Sequence, residues 1–159
     1  MPPRSTAVHL SSQKPLVIIC SGNGASYEYF HRFDYWIEFY LSAGYHVCLW
    51  NYRGYGLSEG FPTFCNLKSD SEVLFDQLKL KHKYTKIVVH GISIGGIAAC
   101  HLAGNRQIEI LVADRTFSSI YEVISSIFPH GRWISKFYKA MRCFSEDSNN
   151  LKSLLMNHS

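Results

Sequence analysis

Four short apolar runs recur along the chain, separated by longer amphipathic segments, and this alternation constrains the fold more than any other feature. The runs span residues 15–20, 45–50, 86–90 and 108–113. Each is nearly continuous in apolar character, which is typical of strands buried on both faces of a sheet. Because the segments between them are long enough for crossover helices, the pattern predicts an α/β protein whose mainly parallel sheet, of about four strands, is flanked by helices.

Start and stop signals place helices between the runs. The aromatic-rich segment 27–41 leads into Ser42-Ala43-Gly44, a typical helix end. Residues 69–72 read Ser-Asp-Ser-Glu, a capping box that predicts a helix with Ser69 as its N-cap. After residue 117 the strand pattern stops and the C-terminal part is predicted to be helical, in pieces at about 118–128, 132–143 and 148–156.

Composition excludes several classes of protein. Of 159 residues, 47% are hydrophobic and 18% charged, so the chain can bury a core and is not disordered. The formal charge of +4 is scattered rather than gathered in a stripe, which predicts no nucleic-acid partner. We expect an N-terminal tail over 1–14 and a single domain over 15–159.

The cysteines and the N-terminus indicate the compartment. The five cysteines are widely spaced and no pair has CxxC spacing, so neither a disulfide framework nor a zinc site is expected. The first residues contain no apolar signal region, and no apolar run approaches the ~18 residues of a membrane helix. The sequence therefore predicts a soluble protein in the reducing cytoplasm, or a membrane-associated one if a longer parent carries an anchor.

The most informative motif is Gly91-Ile92-Ser93-Ile94-Gly95, which follows the third run and precedes a helical segment. A G-x-S-x-G sequence in that context predicts a sharp turn that exposes a nucleophilic serine hydroxyl. The following helix N-terminus favours developing negative charge, and the backbone NH of Ile94 is placed to donate to an oxyanion. The alternative is that the glycines only permit close packing of helix on strand.

The loop after the first run, residues 21–25, is the second candidate. An acyl-transfer site needs a second oxyanion donor from the loop of the neighbouring strand, and the backbone NH of Asn23 is the best candidate. A dinucleotide-binding loop is the rival interpretation. However, the third glycine of that motif is missing, and Asn51 stands where an acidic residue would hold a ribose.

The glycine-rich loop over residues 51–60 follows the second run. The carboxyl ends of parallel strands are where such sheets bind ligands, so this loop borders the predicted site. We interpret it as a structural loop with Arg53 in an ion pair rather than as a source of catalytic residues.

Together these segments resemble the α/β-hydrolase superfamily. The segments CSGNGASYEYF, LWNYRGYGLSEG, VVHGISIGGIAA and ILVADRTFSSI are similar, in order and spacing, to those of eukaryotic α/β-hydrolase-domain serine hydrolases, which include acylglycerol and lysophospholipid lipases and protein depalmitoylases. The resemblance implies a partial α/β-hydrolase fold with Ser93 as nucleophile and Asn23 and Ile94 as oxyanion donors. It implies an acyl ester or thioester substrate and neither metal nor organic cofactor. The aromatic residues that could line an acyl pocket or the core are Tyr27, Tyr29, Phe30, Phe117 and Phe128.

The base of a catalytic triad is not evident. The resemblance implies an acid and then a histidine after later strands, so we expect the chain to be the middle of a hydrolase domain. Asp114 is a weak candidate acid, and none of the histidines lies on a suitable element: His9, His31, His46, His82, His90, His101, His130 and His158. The alternative is a non-catalytic binding protein of the same fold, or a gene fragment. Association with a membrane surface through the substrate, and self-association through an exposed sheet edge, are left open.

Overall fold

The computed structural model describes residues 14–30, 35–119, 123, 125, 126 and 130. Its elements are β1 (Leu16–Cys20), α1 (Tyr27–Phe30), α2 (Tyr35–Ser42), β2 (His46–Leu49), α3 (Phe64–Leu80), β3 (Ile87–Ile92), α4 (Gly96–Asn105) and β4 (Ile110–Asp114). A single 3-10 turn, Ser93–Gly95, joins β3 to α4. The four predicted strands are all present, with ends within about two residues of those expected from the sequence.

The strands form one sheet in the order β2-β1-β3-β4, and every neighbouring pair is parallel. This arrangement confirms the predicted α/β class. β1 and β3 are central and every residue in them is buried, whereas β2 and β4 lie at the edges and are only partly covered. β1 and β3 are parallel neighbours. Their carboxyl ends therefore lie side by side, and the two loops that follow them lie close together.

Helices cover both faces of the sheet. Ile18 and Val89 face a core cluster that includes Phe75 of α3 and Ile97 of α4. Val17 and Val88 face the opposite cluster, which includes Tyr40 of α2. Burying one such aliphatic side chain contributes about 1.5–3 kcal/mol to the free energy of unfolding. The two helical layers therefore stabilise the central strands from which the site loops extend.

The start of α3 corrects a prediction. The helix begins at Phe64, with Thr63 as its N-cap accepting a 3.1 Å hydrogen bond from the Asn66 NH. Ser69, the predicted N-cap, lies inside the helix and donates to the Asn66 carbonyl at 3.2 Å. The earlier start is favoured because it brings Leu67 into the core, where it is 6% exposed.

The predicted helix end at Gly44 is confirmed. Gly44 has a φ of +85°, and the Tyr45 NH donates to the Tyr40 carbonyl at 2.9 Å, as at many helix ends. No helix among the described residues is long and apolar enough to cross a membrane. The tail over 1–14 lies outside the described residues except for its last residue, and so do the predicted helices 132–143 and 148–156; only part of 118–128 is described.

Candidate active site

Ser93 occupies the sharp turn between β3 and α4. Its φ of +53° is in the left-handed region, which few non-glycine residues adopt and which costs about 1–3 kcal/mol. The Thr116 hydroxyl donates a 2.7 Å hydrogen bond to the Ser93 carbonyl oxygen and so holds this conformation. The Ser93 side chain is half-buried, just before the N-terminus of α4.

The glycines of the motif stand where no side chain fits. A Cβ on Gly91 would lie 2.6 Å from the Ala99 Cβ, and one on Gly95 would overlap the backbone of Cys20. A Cβ on Gly96 would overlap the Thr116 side chain, a constraint that the sequence motif did not indicate. The crowding expected around Ser93 is therefore present. It arises because α4 packs against β3, the 3-10 turn packs against the end of β1, and Thr116 packs against the start of α4.

The loop after β1 lies against the turn. A Cβ on Gly22 would be only 3.8 Å from the Ser93 Cβ, so the backbone that leads into Asn23 passes beside the serine. Gly24 has a φ of +73°, and the Ala25 NH donates to the Gly22 carbonyl at 3.3 Å, which closes a tight turn around Asn23. Ile94 follows Ser93 directly. The three predicted site residues are thus brought together at the carboxyl ends of β1 and β3.

The loop after β2 is bound to the loop after β1. The Tyr52 hydroxyl donates to the Ser21 carbonyl at 2.6 Å, and the Tyr55 hydroxyl donates to Asn23 Oδ1 at 2.5 Å. Burial raises the pKa of Tyr52 well above its ordinary value, so this hydroxyl stays protonated and remains a donor. Sequence analysis missed both tyrosines, because nothing along the chain relates them to residues about 31 positions away.

Two further contacts fix the same region. Asn51 Oδ1 accepts the Tyr27 NH at 2.8 Å, and Asn51 Nδ2 donates to Glu28 Oε1 at 2.9 Å. The Asn51 hydrogen bond lowers the pKa of the Glu28 carboxyl. Arg53 pairs with Asp70 at 2.6 Å, which confirms the structural interpretation of that residue. Asn51 therefore tethers the loop after β2 to the start of α1.

Asp114 lies at the end of β4 and contacts Trp36 of α2. It accepts a 3.2 Å hydrogen bond from Trp36 Nε1 and one of 3.1 Å from Arg115 Nε. Its carboxylate is 3.9 Å from Nε2 of the fully buried His90. Hydrogen bonding by Arg115 is the main cause of the lowered pKa of Asp114. The Trp36 hydrogen bond anchors α2 to the sheet.

Two other described histidines, His46 and His101, have partners away from Ser93. His46 Nδ1 pairs with the Tyr84 hydroxyl at 2.7 Å, and His101 Nε2 pairs with Glu72 at 2.9 Å. Burial is the main cause of the lowered pKa of His101, and it outweighs the opposing effect of Glu72. No group of three or more His, Cys, Asp or Glu side chains in the described ranges is placed to hold a metal ion.

A small cavity lies between the loop after β2 and the start of α3, with Ile94 and Tyr55 in its wall. Of the residues predicted to line an acyl pocket or the core, Tyr27 and Phe117 do not line this cavity. Tyr27 is 43% exposed, and Phe117 packs against the larger core cluster. The side chains of Tyr29 and Phe30, and all of Phe128, lie outside the described residues.

Known proteins are similar to this chain in sequence. A family model described as serine aminopeptidase, S33, matches residues 11–151. Protein bem46 of Schizosaccharomyces pombe is 36% identical over 130 residues, covering 78% of this chain and 43% of that protein. Lysophosphatidylserine lipase ABHD12 of Bos taurus is 28% identical over 137 residues, covering 78% of this chain and 34% of the lipase.

A solved structure agrees with the fold. The crystal structure of an α/β-hydrolase from Vibrio vulnificus superposes with a TM-score of 0.70 at 25% identity, covering 89% of this chain and 52% of that one. The chain thus spans between about a third and a half of the length of these three proteins.

Proposed function

This chain belongs to the serine aminopeptidase S33 family of α/β-hydrolases, and from that premise we propose that it is a serine hydrolase that cleaves a carboxylic ester or thioester through an acyl-enzyme on Ser93. One observation carries the proposal. Ser93 is held at a φ of +53° between a buried strand and a helix N-terminus, with the loop after β1 beside it.

The proposed reaction has two steps. Ser93 Oγ attacks the acyl carbonyl carbon, its proton passes to a base, and the backbone NH groups of Asn23 and Ile94 stabilise the oxyanion. Collapse of the tetrahedral intermediate expels the alcohol or thiol, which takes up the proton. Water then attacks the acyl-enzyme by the same route, releasing a carboxylic acid and restoring Ser93. We place the histidine base and its acid outside the described residues.

The substrate class is an acyl lipid or an acylated protein. Support comes from the relative named as a lysophosphatidylserine lipase, and from the aromatic residues Tyr52, Tyr55 and Phe64 in the mixed wall of the cavity beside Ile94. An acyl-lipid substrate would bring the protein to a membrane surface. The edge strand β4, where Ile110 is 53% exposed, offers a site for self-association.

The test compares the full-length natural protein with Ser93→Ala and Ser69→Ala. A fluorophosphonate probe and p-nitrophenyl butyrate report the nucleophile and ester hydrolysis. We expect Ser93→Ala to lose labelling and turnover by at least about 10³-fold. Ser69 lies in α3, so the matched variant should keep both.

Two results would revise the proposal. Equal labelling and turnover in Ser93→Ala would overturn it. An absence of both from the natural protein would favour the non-catalytic binding protein. Turnover of an amino-acid p-nitroanilide without turnover of the ester would replace the ester substrate with a peptide.

A further inference from the structure

Two tyrosines of the loop after β2 hold the loop that would carry an oxyanion donor. Tyr52 is 4% exposed, and its hydroxyl bonds to the Ser21 carbonyl, the first backbone group after β1. Tyr55 reaches further along the same loop, to the side chain of Asn23. The two contacts therefore fix the loop after β1 at its base, Ser21, and at its tip, Asn23.

Tyr55 is itself fixed to Tyr52. The Tyr55 NH donates to the Tyr52 carbonyl at 2.9 Å, and the two rings meet edge to face with centroids 5.3 Å apart. Gly54 between them has a φ of +78°, and a Cβ there would lie 2.8 Å from Pro62 Cδ. The turn that presents the Tyr55 hydroxyl is therefore tightly packed and well defined.

The tip of the loop after β1 depends on that contact. Asn23 is exposed and stands between Gly22 and Gly24, and glycines leave the backbone more conformational freedom than any other residue. The Asn23 side chain accepts a hydrogen bond from the Tyr55 hydroxyl. Fixing the side chain limits the directions in which the Asn23 NH can point.

We infer that Tyr55 is a positioning residue of the proposed hydrolase: its hydroxyl holds Asn23 so that the backbone NH of Asn23 points to the site of the oxyanion. This inference rests on the proposed function. Tyr55 does not touch the substrate carbonyl in this role. It acts through Asn23, and it joins the loop after β2, which sequence analysis assigned to structure alone, to the chemistry at Ser93.

The kinetic test is Tyr55→Phe in the full-length natural protein, which removes one oxygen atom. Interactions made mainly in the transition state raise kcat without tightening substrate binding. Loss of a complete oxyanion donor costs about 10²–10³-fold in kcat, so a misdirected donor should cost about tenfold. We expect that fall in kcat for p-nitrophenyl butyrate, with KM unchanged.

A double-mutant cycle shows whether Tyr55 acts through Asn23. Asn23→Ala removes the accepting oxygen but keeps the backbone NH. If the two residues act as one unit, Tyr55→Phe has no further effect in the Asn23→Ala background. Tyr84→Phe is the matched control. Tyr84 lies shortly before β3, and the substitution removes only a hydroxyl bonded to His46 at the start of β2, so kcat and KM should stay unchanged.

Hydrogen exchange gives a readout that does not require turnover. Amide protons of residues 22–25 should exchange several-fold faster in Tyr55→Phe than in the natural protein, and at unchanged rates in Tyr84→Phe. Unchanged exchange overturns the inference, and so does an unchanged kcat in a protein whose Ser93→Ala variant is inactive. If Ser93→Ala is fully active, the proposed function fails, and the exchange comparison still decides whether Tyr55 holds the loop.

Discussion

The Thr116 hydroxyl donates a 2.7 Å hydrogen bond to the carbonyl oxygen of Ser93. Thr116 follows β4 and Ser93 follows β3, so this contact ties together the ends of two neighbouring strands. The same threonine side chain fills the space that a Cβ on Gly96 would need. Thr116 therefore stabilises the left-handed backbone conformation of Ser93 and limits how closely the start of α4 can approach the end of β4.

Thr116→Val should destabilise the protein by about 1–2 kcal/mol. The valine keeps the shape of threonine but removes the donor, which leaves the Ser93 carbonyl without this partner. Urea unfolding measures the change. Thr85→Val is the matched control, because Thr85 is exposed just before β3, and its unfolding free energy should change by less than about 0.5 kcal/mol. Equal stability of the Thr116 and Thr85 variants would contradict a structural role for the contact.

Gly95→Ala should be far more damaging than Gly22→Ala. The added methyl group at residue 95 meets the backbone of Cys20 and lies 2.6 Å from the Ser21 carbonyl oxygen, and a backbone cannot move aside as a flexible side chain can. Overpacking of this kind costs about 1–3 kcal/mol or more.

At residue 22 the methyl group meets only ordinary contacts, the nearest at 3.8 Å. Gly22→Ala should therefore change the unfolding free energy by less than about 1 kcal/mol. Thermal and urea unfolding of the two variants give the comparison. Similar stabilities would show that the turn at Gly95 can move away from the end of β1 without cost.

Asp114 should make stability depend on acid pH. Arg115, together with Trp36, lowers the pKa of Asp114 below its ordinary value of 3.8. The folded protein therefore binds this proton less readily than the unfolded chain. The stabilisation is complete well above that value and is lost as the pH falls through the lowered pKa.

Asp114→Asn removes this titration. We expect the variant to be less stable than the natural protein near neutral pH, and the difference to shrink as the pH falls below about 4. Urea unfolding at a series of pH values between about 6 and about 3 measures it. A difference that stays constant across that range would contradict the lowered pKa.

The sequence predicted most of the framework and only part of the site. Strands such as 15–20 were predictable because each is buried on both faces and its apolar pattern is unbroken. The motif around Ser93 was predictable because its glycines are local requirements of one turn. The start of α3 could not be predicted in the same way, because both Thr63 and Ser69 are suitable N-cap residues. The burial of Leu67 favours the earlier start at Thr63.

The partners of the site residues were also beyond prediction. Tyr55 meets Asn23 across 32 positions, and Thr116 meets Ser93 across 23. Each pair forms only because parallel strands end at the same edge of the sheet. Patterns along the chain report local structure, whereas these contacts depend on strand order and register.

Asp114→Asn should also show whether Asp114 is the acid of a triad. Its described contacts are hydrogen bonds from Trp36 and Arg115, and Nε2 of His90 lies 3.9 Å from its carboxylate. Replacing a triad acid by its amide lowers kcat by about 10⁴-fold, because the histidine base loses its orientation. We expect a fall of less than about tenfold, since the Trp36 hydrogen bond gives Asp114 a structural role in joining α2 to the sheet.

Hydrolysis of p-nitrophenyl butyrate by the full-length natural protein measures the change, at a temperature where Asp114→Asn remains folded. Trp36→Phe is the matched control, because it removes one of the same contacts, the Trp36 hydrogen bond, and leaves the carboxylate in place. If Asp114 only anchors α2, both variants should have similarly small effects on kcat. A fall near 10⁴-fold in Asp114→Asn alone would make Asp114 the triad acid and would require a histidine base beside it.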